Sequence, residues 1–154
     1  MAAFSAFDKS GDIRDYVVDL RNGKIRPITP VGTRTGKISP DGTRIVTHEF
    51  AAEKYLLVDI ASGKTSDVPG LDKDDEVLGC NADGTAINVW DQQLPARVSQ
   101  VDVTTGKRQF IQMVEPLAML GSMYARMVTS ADAKTVAYRV RRGVYAIYIA
   151  DGLR

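Results

Sequence analysis

Short apolar runs separated by turn residues set the pattern of this chain. Residues 44–47, 55–60, 86–90, 98–103, 135–140 and 144–149 are rich in Val, Ile, Tyr and Leu, the composition of β-strands. Within residues 136–141, Val136, Tyr138 and Val140 share one face, and Ala137, Arg139 and Arg141 share the other. That is the period of two expected of a strand. No window of a dozen residues keeps a 3.6-residue period. At most one helical turn is expected, over residues 116–121, where Gly121 ends it. The pattern therefore predicts an all-β protein.

The polar segments between the runs repeat. Asp-x-x-x-Gly-Lys occurs as Asp19 to Lys24, Asp59 to Lys64 and Asp102 to Lys107, at spacings of 40 and 43 residues. A second motif alternates with it: Ser39-Pro-Asp-Gly-Thr43, Asn81-Ala-Asp-Gly-Thr85 and a degraded Ser130-Ala-Asp-Ala-Lys134. Both are turn chemistry. An Asp side chain bonds nearby backbone, and Gly takes the left-handed conformation without a Cβ clash. Their carboxylates are read as structural. Two motifs in alternating phase with a period in the forties match the size of one four-stranded propeller blade.

Phasing the strands on the turns predicts blades over residues 2–31, 34–69, 75–113 and 122–150. The first then holds the second, third and fourth strands of a blade, and the last holds the first three. This makes about 3.5 to 4 blades of four-stranded antiparallel sheet. At about 40 residues per blade, rings of six or seven blades need roughly 240 to 280 residues. The chain is therefore expected to be a single partial domain from a larger ring, with a closed four-bladed ring as the alternative.

The phased Ser-Pro-Asp-Gly-Thr and Asp-x-x-x-Gly-Lys turns resemble the WD-like repeats of bacterial TolB-type β-propellers. Residues 129–142 and 144–154, with Tyr138, Arg141-Arg142 and a final Gly-Leu-Arg154, are similar to the end of propellers found behind serine/threonine kinase domains in acidobacteria-like proteins. The resemblance implies a sensory or scaffold module, C-terminal in a signalling protein, that binds a protein or peptide. The alternative is the substrate-gating propeller of a peptidase-like hydrolase whose catalytic domain lies outside this chain. The sequence departs from the pattern at Ala133, where Gly is usual. Trp90-Asp91 lies in the wrong strand for a true WD repeat.

Composition adds boundaries rather than chemistry. The 154 residues are 44% apolar and 25% charged with a net charge of +1, so bulk nucleic-acid binding is not implied. Charge is uneven: +3 over residues 1–48, −7 over 49–91, +1 over 92–119 and +4 over 120–154. Arg139, Arg141 and Arg142 form the candidate partner-binding patch. With the acidic middle of a second copy, and with open strand edges, they point to self-association. The acidic run Asp72, Asp74, Asp75 and Glu76 reads as a solvated turn, as does Asp8 to Asp12. Neither has the Gly and distal Glu of a calcium loop.

No enzyme activity is expected of this chain. Kinase motifs and a Gly-x-Ser-x-Gly elbow are absent, so no nucleophile, base and oxyanion group assemble. Gly32-Thr-Arg-Thr-Gly-Lys37 is too short between its glycines for a phosphate loop. One His and one Cys cannot build a usual zinc site, and no cofactor is implied. His48 reads as a strand cap, Cys80 as a small hydrophobe, and Met113, Met119, Met123 and Met127 as core filling. Residues 1–10 lack a basic n-region and an apolar h-region. No apolar run is long enough to span a bilayer. As written, the chain reads as cytoplasmic, or extracytoplasmic if it ends a membrane-anchored receptor kinase.

Overall fold

The computed structural model describes residues 1–115 and 122–142, and these form strands and turns without a helix. The first sheet holds β1 (Ala2–Phe7), β2 (Ile13–Val18) and β3 (Ile25–Pro27). The second holds β4 (Thr33–Ile38), β5 (Arg44–Glu49), β6 (Lys54–Asp59) and β7 (Thr65–Asp67). The third holds β8 (Glu76–Cys80), β9 (Ala86–Trp90), β10 (Ala96–Asp102) and β11 (Arg108–Val114). The fourth holds β12 (Ser122–Thr129) and β13 (Val136–Arg142). Within each sheet every strand pairs antiparallel with its neighbour in sequence.

The sheets are arranged by their leading strands. β1 lies against β4, β4 against β8, and β8 against β12. Antiparallel sheets whose first strands converge while the others fan outward make a β-propeller. The chain forms part of one. The strand expected over residues 144–149 and the helical turn expected over 116–121 lie outside the described residues.

The second and third sheets bury both faces, one on the preceding sheet and one on the following sheet. Ile45 packs with Val17, Leu56 and Val58 against the first sheet, while its neighbour Val46 packs with Val77, Ile87 and Val89 against the third. Trp90, Val98 and Met127 fill the space between the third and fourth sheets. Burial on both sides explains why these strands read as continuous apolar runs rather than as strict alternation.

The repeated motifs are the hairpin turns. In Asp-x-x-x-Gly-Lys the Gly N–H donates to the Asp carbonyl, at 2.8 Å for Gly23 and Gly63 and 2.9 Å for Gly106. The second motif closes Gly42 onto Ser39 at 2.9 Å, Gly84 onto Asn81 at 3.1 Å and Ala133 onto Ser130 at 2.9 Å. Ala133 adopts φ +57°, close to the +71° of Gly42 and Gly84, and buries its methyl in the core between the last two sheets. The degraded copy therefore keeps the turn, and methyl burial offsets part of the left-handed strain.

The turn carboxylates set an acid limit on stability. Hydrogen bonds from the Ser39 hydroxyl and then from Thr43 lower the pKa of Asp41 to about 2. Hydroxyl and backbone donors likewise lower Asp8, Asp59, Asp83, Asp102 and Asp132. A folded pKa below the unfolded 3.8 means that the unfolded chain binds more protons in that window. The contribution is present above pH 3.8 and is lost as pH falls toward about 2. Thermal melts are expected to drop across that window, and Asp41→Asn should flatten the drop. An equal slope in wild type and variant would remove Asp41 from the account.

Candidate functional site

Side chains of the leading strands and of β5 and β6 border a cleft of about 660 Å³, within the size range of ligand sites. Arg34 and Lys37 reach it from β4, Lys73 from the turn before β8, Glu76 from the first position of β8, and Arg126 from β12. β4 carries a bulge between Arg34 and Lys37. A bulge re-aims side chains along a strand, and here two cations of one strand face the same space. All four cationic side chains are exposed.

An aromatic wall completes the cleft. His48 meets Phe50 and Tyr55 edge-on, with ring centroids 4.7 and 4.8 Å apart. The Arg34 guanidinium lies over the Phe50 ring, 4.1 Å from its centroid, within cation–π range. His48 is thus a half-buried member of β5 and of this wall, a correction to its reading as a surface cap. Burial, and next the Arg34 charge, lower its pKa, so the imidazole is neutral at pH 7. The Tyr55 phenol is pushed up to about 12, first by burial and then by the Asp75 and Glu76 charges.

The acids at the cleft are occupied internally. Glu76 accepts a 3.1 Å bond from the Trp90 indole. Asp75 is 3% exposed. Its carboxylate takes both arms of Arg108, one at 3.0 Å, and the Asp72 N–H at 2.7 Å. Its backbone carbonyl accepts the Tyr55 hydroxyl. The expected solvated turn therefore holds a buried carboxylate at this residue: the partly exposed Arg108, 33 residues away, supplies the countercharge that makes its burial tolerable. The cleft thus presents four cations, an aromatic surface and the half-buried Glu76 carboxylate.

No Ser, Thr or Cys lines the cleft among the described residues, and the Tyr55 hydroxyl is engaged by the Asp75 backbone carbonyl. No group of three His, Cys, Asp or Glu among the described residues is placed to hold a metal ion. Cys80 ends β8, packs on the core, and has its thiol pKa raised by burial. The turn 8–12 is held by Ser10, whose hydroxyl donates to Asp8 at 2.5 Å.

Arg139 is exposed on β13, opposite Arg126 in the ladder, and is not among the cleft residues. Arg141 and Arg142 lie on the same strand. The cleft cations Arg34, Lys37, Lys73 and Arg126 went unnoticed as a group in the sequence. Two of them stand in the segment weighed as a phosphate loop, which is strand β4.

No family model matches this chain, and no curated protein matches it. Solved propeller structures do. TolB from Acinetobacter baumannii aligns over 90% of this chain and 39% of its own, at 17% identity and TM-score 0.60. The β-propeller domain of the Trilobed protease from Pyrococcus furiosus aligns over 94% of this chain and 46% of its own, at 14% identity and TM-score 0.53. An acylaminoacyl peptidase from Pyrococcus horikoshii aligns over 82% and 24%, at 11% identity and TM-score 0.54. The chain thus has a TolB-like propeller fold and spans less than half the length of these structures.

Proposed function

We propose that this chain is a non-catalytic propeller module whose cleft captures an acidic, extended segment of a partner protein. The cleft carries the reading: Arg34, Lys37, Lys73 and Arg126 converge beside His48, Phe50 and Tyr55, while Asp75 and Glu76 hold internal partners. Cations attract carboxylates from a distance and set the on-rate, and the aromatic wall supplies apolar contact. A peptide fits better than a compact metabolite because the cleft crosses three sheets. The ending similar to kinase-associated propellers supports a sensory or scaffold place in a signalling protein.

A second reading, a propeller that gates substrate to a hydrolase, draws on the two peptidase neighbours. Kinase motifs in coding sequence upstream favour the first reading, and a hydrolase elbow downstream favours the second.

The binding test uses fluorescence anisotropy with Asp- and Glu-rich peptides carrying one aromatic residue. Saturable binding is expected to weaken as salt rises, because screening shortens the reach of the cations. Lys37→Glu with Lys73→Glu should weaken it by about tenfold or more. Binding untouched by that pair of changes, or none at about 100 µM peptide, would refute the acidic-segment reading.

A further inference from the structure

Asp15, on β2, is a carboxylate residue with no exposed surface. It forms no ion pair among the described residues. A buried charge without a countercharge is costly and persists only where hydrogen bonds hold it. Two hydroxyls do so here. Ser5, its ladder partner on β1, donates to Oδ1 at 2.5 Å, and Thr47 on β5 donates to Oδ2.

The same side chain lies against β4. The Thr47 oxygen that faces Asp15 is also 3.2 Å from the Arg34 carbonyl oxygen. A Cβ on Gly36 would come within 2.9 Å of Asp15 Oδ2, so the carboxylate packs against the Gly36 backbone. Both contacts fall inside the β4 bulge. The ladder runs from Arg34 opposite His48 to Lys37 opposite Val46, so two residues of β4 stand opposite the single Thr47. Side chains three apart on a regular strand face opposite ways. The extra residue turns Arg34 and Lys37 into the same cleft.

The repeat shows what is particular to this bulge. The third sheet has one at the same phase, between Val77 and Gly79. Counting forward on the turn motifs aligns Asp15 with Tyr55, Gly36 with Leu78 and Thr47 with Val89. Those three counterparts are buried, and Leu78 packs in the core. Between the first two sheets a carboxylate, a glycine and a hydroxyl in mutual contact take the place of that set. Gly36 has no side chain with which to anchor its strand.

We propose that Asp15 is a positioning residue for the cleft: its carboxylate, held by Ser5 and Thr47, props the β4 bulge at Gly36 and so aims Arg34 and Lys37 at the ligand. It acts from the first sheet, none of whose described residues lines the cleft. The consequence for binding rests on the acidic-segment reading, whereas the placement of Arg34 does not.

His48 reports that placement. It is the only histidine of the chain and stands opposite Arg34 in the ladder. Burial, and next the Arg34 charge, lower its pKa, while the Glu53 charge raises it. Titration of its imidazole by nuclear magnetic resonance in the full chain reads the effect. Asp15→Ala should raise the His48 pKa, because the bulge settles into the vacated space and Arg34 withdraws. Loss of the Asp15 charge alone acts the other way, since removing an anion disfavours the imidazolium. Asp15→Asn keeps the shape and an oxygen for Thr47, and should not raise it. In an Arg34→Gln background the rise on Asp15→Ala should vanish. Should Asp15→Ala fail to fold, Thr47→Val, which removes the hydroxyl at nearly constant shape, is expected to give the same rise. In anisotropy with the Asp- and Glu-rich peptides, Asp15→Ala should weaken binding by about threefold or more, and Asp15→Asn should not. A His48 pKa unmoved or lowered by Asp15→Ala, a rise that persists without Arg34, or a peptide affinity indifferent to Asp15→Ala would each overturn the positioning role. A wild-type chain that binds no peptide would instead remove the acidic-segment reading, and the His48 titration would still decide the role of Asp15.

Discussion

Gly70→Ala is expected to destabilise the fold by about 2–5 kcal/mol, combining overpacking with left-handed strain. Gly70 stands between β7 and β8 with φ +72°. A Cβ there would lie 2.2 Å from the carbonyl oxygen and 2.7 Å from the Cα of Gly106, in the turn between β10 and β11. The obstacle is backbone, which cannot swing aside as a side chain can. Gly106, at φ +71°, is equally confined: its Cβ would come within 2.9 Å of the Pro69 carbonyl carbon. Gly23 is the control, with φ +69° but nothing within 4 Å of an added Cβ. Gly23→Ala should cost only about 1–2 kcal/mol, the strain alone. Urea melts of the three proteins check this. Equal losses for Gly70→Ala and Gly23→Ala would show that the close approach is dispensable.

That contact shows what the sequence carries and what it hides. The turn at Asp102 to Lys107 is legible because Asp and Gly must occupy fixed offsets for the chain to reverse. Its three copies expose the period, and the period exposes the blades. The strands that follow are legible for the same reason, since β5, β6 and β9 need apolar residues on both faces. The meeting of Gly70 with Gly106 has no local signature, because each glycine is sufficiently explained by its own turn. The cleft is hidden likewise. Arg34 and Arg126 sit on the leading strands of two sheets and Lys73 in the turn that enters a third, and only the convergence of those strands brings them together. His48 reads from the sequence as a cap just beyond a strand over 44–47, whereas β5 runs through it to Glu49, and its two aromatic neighbours come from a hairpin and a ladder partner. Asp75 was lost in an acidic run in which Asp72 and Asp74 are exposed and Asp75 is not. Local charge density says nothing about which carboxylate turns inward.

That inward carboxylate yields the other large expected effect. Arg108→Leu should destabilise the protein by about 2–4 kcal/mol at pH 7, because it leaves the Asp75 charge buried without its countercharge. The lower bound reflects the solvent that reaches Arg108, whose side chain is 33% exposed. The Arg108 guanidinium also donates to the Gly70 carbonyl at 3.0 Å, so its loss loosens the linker that the two glycines confine. Asp75→Asn in the same chain should recover part of the loss, since a neutral amide tolerates burial better than a lone carboxylate. The Asp75→Asn background separates charge from packing. Urea melts of the single and double variants test it. A loss that Asp75→Asn does not reduce would mean that Arg108 acts through its methylene stem alone. Because Asp75 also accepts the Tyr55 hydroxyl at the cleft wall, the variant is further expected to weaken acidic-peptide binding while Lys37 and Lys73 are intact.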